Sequence, residues 1–209
     1  MLELANGYNG EEEVALVGVV GERFNRRKAR IQRLPDNELK GVLKIVNVSG
    51  NMMPIVNRRV YERGVIPDDK LFFSYEDLDF GLAIQRAGMV SIVHGDIFYR
   101  HRLEAGRLNF KRKTYNLKST RSLWREYYGV RNLVHILLHK EKAYTGVLVL
   151  SIRTIAKSVY GFRFGMEYGR INFVYLLQGL IDGYRRKLGM TVLPLPKTAS
   201  VMENQSERK

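Results

Sequence analysis

Apolar and polar residues follow two rhythms along this chain. Up to about residue 100 the apolar positions come in short runs broken by glycine, proline and acidic residues. Val14–Val20 and Leu43–Val48 are nearly continuous apolar runs of strand length, and Met89–Val93 and Ile97–Tyr99 repeat the pattern. Such runs suit strands buried in a sheet. Gly21–Leu34 is basic and reads as a loop, while Ser49 and Gly50 punctuate the chain before Met52–Val56. Arg58–Arg63 reads as a short helix stopped by Gly64, and Pro67, Asp68 and Asp69 as a turn. A better marked helix follows, with Ser74 as its N-cap, acidic residues in its first turn, Leu78, Leu82 and Ala83 facing the core, and Gly88 just past its end. Strand, strand, helix, strand predicts an α/β layer structure.

From Ser122 onward the rhythm is helical. Helices are predicted over about Ser122–His139, Tyr144–Tyr160 and Tyr168–Lys187. The third carries Phe173, Val174, Leu176, Leu177, Leu180, Ile181 and Tyr184 on a broad apolar face and ends in Arg185, Arg186 and Lys187 before Gly189. Cations in a last turn followed by glycine form the expected stop. The chain divides into an α/β part over 1–104, a basic connector over 105–121, a helical region over 122–190 and a loose tail over 191–209. No internal repeat is visible.

Charge changes the picture most. The formal net charge is +14 and the isoelectric point is about 10.0, so polyanions are the natural neighbours: anionic lipid headgroups, diphosphate-bearing substrates or nucleic acid. Nucleic acid is the weakest of these, because no helix-turn-helix, zinc-finger or RNA-binding signature accompanies the charge. There are no cysteines, which excludes disulfides and thiolate metal sites. Met1–Glu13 is polar and acidic and does not read as a secretory signal. The longest apolar candidate, Ala143–Ile152, is stopped by Arg153, short of the roughly 20 residues a membrane span needs. The chain is expected to lie on a membrane rather than cross it.

Candidate chemistry centres on Phe72–Phe73–Ser74–Tyr75–Glu76–Asp77–Leu78–Asp79. One reading is structural: Asp77 follows Ser74 by three residues, a capping-box spacing with Asp in the usual Glu position. The other is functional: a carboxylate at the mouth of a sheet takes a proton from an attacking hydroxyl, kept ionised by a helix N-terminus and nearby basic residues. Asp77–Leu78–Asp79 is a literal D-x-D, but positions i and i+2 of a helix point apart, so it is not read as a metal clamp. His94 and His101 fall near the ends of the expected strands, and a lone histidine is ordinarily a structural group. His101 is the better ligand candidate of the two. Trp124, Tyr127, Tyr128 and Arg131 share one helix face, where core packing is the default. An arginine in such a stripe requires a carboxylate, a phosphate or a ring face as partner.

Taken in order, these segments resemble glycosyltransferase family 2 over about Val46 to Lys140. Gly50–Asn51–Met52–Met53 with Asn57–Arg58–Arg59–Val60 resembles the strand and turn before the acceptor site. Phe72–Phe80 resembles the family's E-D-x-D segment and Arg86–Ala87–Gly88 its usual helix ending, while His101 follows where a histidine commonly closes the next strand. Trp124–Tyr128 with Arg131–Asn132 resembles the aromatic and R-N helix of rhamnosyl- and galactofuranosyl-transferase-like members. The resemblance implies a partial GT-A (Rossmann-like) sheet followed by a C-terminal helical region, and inverting sugar transfer from a nucleoside-diphosphate sugar. It implies Asp77 as the general base, and Glu76, Trp124 and Arg131 as acceptor-binding residues. It also implies His101 as a ligand of Mn²⁺ or Mg²⁺, a Lewis acid for the departing diphosphate, if the missing D-x-D is supplied.

The family's opening strand–helix–strand unit and its metal-binding D-x-D have no counterpart before Val14, so the expectation is a truncated or split enzyme. The expected partners are the sugar nucleotide, a cell-surface polysaccharide or lipid-linked glycan acceptor, an anionic membrane, and either a second copy or a separate N-terminal half. The expected location is cytoplasmic, on the inner face of the cell membrane. The competing expectation is a catalytically inactive fragment that binds membrane or a partner protein.

Overall fold

A computed structural model describes residues 8, 10–48, 54–109 and 120–193, without the side chain of Arg121. The expected segment Gly50–Met53, much of the basic connector and most of the tail lie outside the described residues. The rest is a mixed α/β structure with two small sheets. One sheet has the order β4-β7-β1-β6 and the other β3-β2-β5. The strands are β1 Glu13–Gly18, β2 Gly21–Asn25, β3 Arg30–Arg33, β4 Val42–Ile45, β5 Asn47–Val48, β6 Ile55–Val56 and β7 Met89–His94. The helices are α1 Arg58–Glu62, α2 Glu76–Arg86, α3 Gly95–Glu104, α4 Leu123–His135, α5 Tyr144–Tyr160 and α6 Met166–Tyr184, with a π turn at Ile136–Lys140 closing α4.

β1 and β7 are parallel neighbours, with Val17 opposite Ile92. β4 and β6 flank them antiparallel. Two expectations need correction here. Gly21–Leu34 is a hairpin rather than a loop: Phe24 pairs with Ile31 across it, and Ala29 turns the chain at φ 47°. Its abundant polar and charged residues masked the strand pattern, because Phe24 and Ile31 are the only large apolar residues of β2 and β3. Ile97–Tyr99 is not a strand but part of α3. Gly95, Phe98 and Arg102 are its buried positions, spaced i, i+3 and i+7, which is a helix face. Ile97 and Tyr99 are exposed.

α2 is shared between two cores. Leu78 and Leu82 pack with Leu133, Leu137, Val147 and Leu150 of the helical region. Ile84 joins Ala15, Leu16, Ile45, Val93 and Phe98 against the sheet. The fit is close enough that a Cβ on Gly81 would stand 1.8 Å from the Val46 carbonyl oxygen. α4 and α6 meet through small residues as well: a Cβ on Gly179 would lie 2.6 Å from the Tyr127 carbonyl oxygen. The helix stops at Gly64 and Gly88 are as expected, with φ 71° and 73°.

Candidate active site

The segment leading into α2 has an unusual backbone. Phe72, Ser74 and Tyr75 have φ of 61°, 72° and 67°, a left-handed region that non-glycine residues enter only when their surroundings over-determine it. The surroundings here are α4. Asn132 Nδ2 donates to the carbonyls of Leu71, Phe73 and Ser74 at 2.9, 2.7 and 2.8 Å. One amide nitrogen has two protons, so these three acceptors share them. Arg131 Nη2 donates to the Leu71 carbonyl at 2.9 Å, and its Nε orients Asn132 through Oδ1 at 2.9 Å. Phe73 packs its ring on Trp124 at 4.8 Å and Phe72 packs on Tyr128 at 5.0 Å.

This clamp decides how the acidic segment is presented. The N-cap of α2 is Tyr75, not Ser74, and it makes no side-chain capping bond. The capping-box geometry therefore does not form, since Asp77 is the second residue of the helix rather than the third. Glu76 and Asp77 are exposed. Asp77 lines a cavity of about 180 Å³ with Leu16, Val48, Val56 and Phe80. Asp79 is 3% exposed and turns inward to Lys140 Nζ at 2.7 Å, which also bonds Asp68 at 2.6 Å. The D-x-D is thus split, one carboxylate outward and one paired in the interior.

Arg131 differs from its expected role. It is fully buried, and its guanidinium serves the chain itself, bonding the Gly189 carbonyl at 2.6 Å and Thr191 Oγ1 at 3.1 Å. It stacks over the Tyr128 ring at 4.6 Å. Ring faces and backbone carbonyls are its partners, so it positions the loop and has no surface left for an acceptor. Trp124 is half-buried and stays beside the loop.

His101 lies in the last turn of α3, on the wall of a different and larger cleft of about 1410 Å³. That cleft shares no lining residue with the cavity at Asp77. Arg30, Arg33, Arg102, Arg107, Arg153 and Lys157 line the same cleft. Such a wall does not fit a divalent cation. Its two carboxylates are engaged already, Glu126 with Lys157 at 2.7 Å and Glu22 with Asn47 at 2.9 Å. Among the described residues no group of three or more His, Asp or Glu side chains gathers as a metal site. His94 is half-buried beside Asp96, at 3.4 Å.

Comparison with protein-family models, with curated proteins and with solved structures finds no match to this chain. The site is therefore read from its own geometry.

Sequence reasoning singled out Asn132 only as part of a cluster and gave it no task. Its signal was the adjacent Arg131–Asn132 pair on a face that is otherwise core: two buried polar side chains in succession require buried polar partners. Tyr75 was missed as well. It lines the large cleft, and burial pushes its phenol pKa up while Arg153 pulls it down.

Proposed function

We propose that this chain performs the acceptor side of an inverting glycosyl transfer, from a nucleoside-diphosphate sugar to a cell-surface polysaccharide or lipid-linked glycan. The supporting observation is the clamped 72–75 backbone, which presents Asp77 outward at the start of α2 while Asp79 is used internally. Strain of this kind, held in place by buried hydrogen bonds, accumulates at working sites. Asp77 accepts the proton of the acceptor hydroxyl. The freed oxygen electron pair attacks the anomeric carbon from the face opposite the diphosphate. The carbon–oxygen bond to the diphosphate breaks, the diphosphate leaves with that electron pair, and the configuration inverts. A carboxylate placed for proton transfer contributes roughly 10²- to 10⁴-fold to such a step. Glu76 and Trp124 flank the acceptor. The parallel β1–β7 pair followed by α3 is read as part of a GT-A, Rossmann-like sheet. No step is assigned to a metal, because the residues around His101 do not suit one.

The reaction is placed on an anionic membrane face. No helix among the described residues is long and apolar enough to cross a membrane. α5 nevertheless exposes Leu148, Ile152, Ile155 and Val159 along one stripe, and it carries no Asp or Glu. An apolar stripe without acids, on a chain of net charge +14, suits an interface of anionic lipid. The same stripe favours a second reading, a non-catalytic module that binds membrane.

The deciding experiment is sugar-nucleotide turnover by the chain, alone and with a nucleotide-binding half supplied, comparing wild type with Asp77→Asn. Loss of at least about 100-fold, with an unchanged circular dichroism spectrum, is expected from the cost of removing a general base. Equal turnover by the two proteins would remove Asp77 from the mechanism.

A further inference from the structure

The chain beyond α6 returns to the loop on which the candidate site depends. α6 ends at Tyr184, and Arg186 and Gly189 then turn the backbone at φ 58° and 79°. The turn brings the Gly189 N–H to the Lys70 carbonyl at 2.7 Å, next in the chain to the clamped carbonyl of Leu71. Thr191 and Val192 then lie against α4. The Tyr128 hydroxyl donates to the Val192 carbonyl at 2.7 Å and accepts from the N–H groups of Thr191 and Val192 at 3.1 and 2.9 Å. A phenol hydroxyl has one proton and two lone pairs, so this segment occupies all of them. The ring of the same tyrosine carries Phe72 of the loop.

The Thr191 side chain has a second task. Arg131 and Asp182 are both buried, and among the described residues neither has an ion-pair partner. The available donors fix the direction of the bonds between them. Arg131 can only donate, and gives a proton to Thr191 Oγ1 at 3.1 Å. The Asp182 carboxylate accepts the Tyr127 proton at 2.7 Å. The 2.6 Å bond between the Tyr127 and Thr191 hydroxyls is therefore donated by Thr191. Burial pushes the Tyr127 phenol pKa up, the bond from Thr191 pulls it down and the bond to Asp182 pushes it up, as these directions require. A buried cation and a buried carboxylate are thus linked through two hydroxyls, and the segment after α6 supplies one of them. Buried charges are costly unless compensated. Two of the four hydrogen bonds of Arg131 among the described residues go to this segment, and the other two hold Leu71 and orient Asn132.

We propose that residues 189–192 form a strap that sets the conformation of the 71–75 loop, with Thr191 and Tyr128 as positioning residues that act through Arg131 and the Phe72 ring. The presentation of Glu76 and Asp77 is then conditional on the chain after α6, and whatever displaces the strap loosens the loop. Naming this loop the working site rests on the proposed transfer reaction. The coupling of strap to loop does not.

The loop carries its own reporters. Trp124 is the only tryptophan of the chain and packs on Phe73 at 4.8 Å, so its emission follows the loop. Phe72 and Phe73 are chymotrypsin sites, and cleavage there follows the population of the open loop. The test compares the full chain with Thr191→Val, Thr191→Ser and Tyr184→Phe. Thr191→Val keeps the shape and breaks the link between Arg131 and Tyr127. It is expected to shift Trp124 emission to the red and to speed cleavage after Phe72 or Phe73 roughly tenfold, about the effect of one hydrogen bond to a charged group. Thr191→Ser keeps the hydroxyl and is expected to restore both signals. Tyr184→Phe is the control: it removes an α6 hydroxyl that bonds Ser151 of α5 at 2.9 Å, and is expected to leave both signals unchanged. Wild-type signals from Thr191→Val would overturn the proposal. So would failure of Thr191→Ser to restore them, which would assign the effect to packing, and so would equal changes in Tyr184→Phe, which would assign it to general loosening of α6. Strap-dependent signals in a chain that turns over no sugar nucleotide would leave the strap standing and remove only the transfer reaction.

Discussion

α4 and α5 are neighbouring helices in one chain, and they use their residues in opposite ways. α4 buries polar side chains: Arg131, Asn132 and His135 all lie inside, with Tyr127 donating to Asp182 at 2.7 Å. α5 does the reverse, exposing Leu148, Ile152 and Val159 at 61%, 61% and 58% while burying Thr154 and Ser158. Each departs in part from the ordinary amphipathic helix, although both also bury apolar side chains, Leu133 and Val134 on α4 and Val147 and Leu150 on α5. Buried polar groups cost free energy unless bonded, so α4's departure has to have internal partners, and it does: the carbonyls of the strained loop. Exposed apolar groups require partners outside the chain, so α5's departure points to a surface beyond it. One helix fixes the candidate site from within, and the other offers an attachment from without.

The sharpest way to break this comparison is Asn132→Leu. The side chain keeps its approximate size, while the carbonyls of Leu71, Phe73 and Ser74 lose their shared donor. Leaving buried carbonyls unsatisfied costs about 1–3 kcal/mol each in the worst case. Arg131 still holds Leu71, so a loss of about 3 kcal/mol in urea unfolding is expected. The strained backbone is expected to relax with it, so turnover falls even where the variant remains folded. A stability change below about 0.5 kcal/mol, the range of an ordinary surface substitution, would show that the loop holds itself.

This clamp also marks where sequence reading stopped. The strand run Val14–Val20, the glycine stops and the span Tyr144–Tyr160 were legible because each rests on local rules: apolar runs, left-handed glycines, helical period. α5 was located to the residue. What failed was non-local. Ser74 is a good capping residue in isolation, but Asn132, 58 residues away in sequence, pulls its carbonyl into another geometry. The hairpin at β2–β3 was hidden because its strands hold only two large apolar residues, Phe24 and Ile31, which face each other across the pair and make no run along the chain. His101 was placed by analogy with a strand end and lies on a helix, since three apolar residues in a row do not tell the two apart. The outward Asp77 was legible as a candidate, but its separation from the inward Asp79 required the fold.

A smaller effect sharpens the interior side of the comparison. His135 is 7% exposed, and its Nδ1 has no hydrogen-bond partner among the described residues. Burial, then the positive Lys140 and the neighbouring His139, push its pKa down to about 4; Asp68 opposes them weakly. The folded protein therefore holds this imidazole neutral, while the unfolded chain binds a proton at about 6.5. Its contribution to stability is complete above about pH 6.5 and is lost as the pH falls from there towards about 4. The loss is on the order of 2 kcal/mol. Urea unfolding of wild type and His135→Gln at pH 7 and pH 4.5 measures it. The wild type is expected to weaken more than the variant across that interval, and parallel behaviour would assign the acid sensitivity to other groups.

The smallest effect on stability, and the one that tests the exterior side, belongs to the α5 stripe. Ile152→Ser with Ile155→Ser changes two exposed positions, so the folding free energy should shift by no more than about 0.5 kcal/mol per site. Binding is another matter. If these side chains enter a lipid interface, removing them forfeits apolar burial at about 25 cal/mol per Å². Co-sedimentation with anionic vesicles should then fall roughly tenfold, a change of about 1.4 kcal/mol. Neutral vesicles should bind both proteins poorly, and salt should release the wild type, because the net charge of +14 draws it to the anionic surface. Vesicle binding that is salt-sensitive but indifferent to the two serines would assign attachment to charge alone. The stripe would then have to be covered by protein, and the unmodified chain would self-associate at rising concentration where the variant does not. Either result preserves the asymmetry between the helices. Only a stability loss of several kcal/mol from the two serines would erase it, by showing that α5's outer face is core after all.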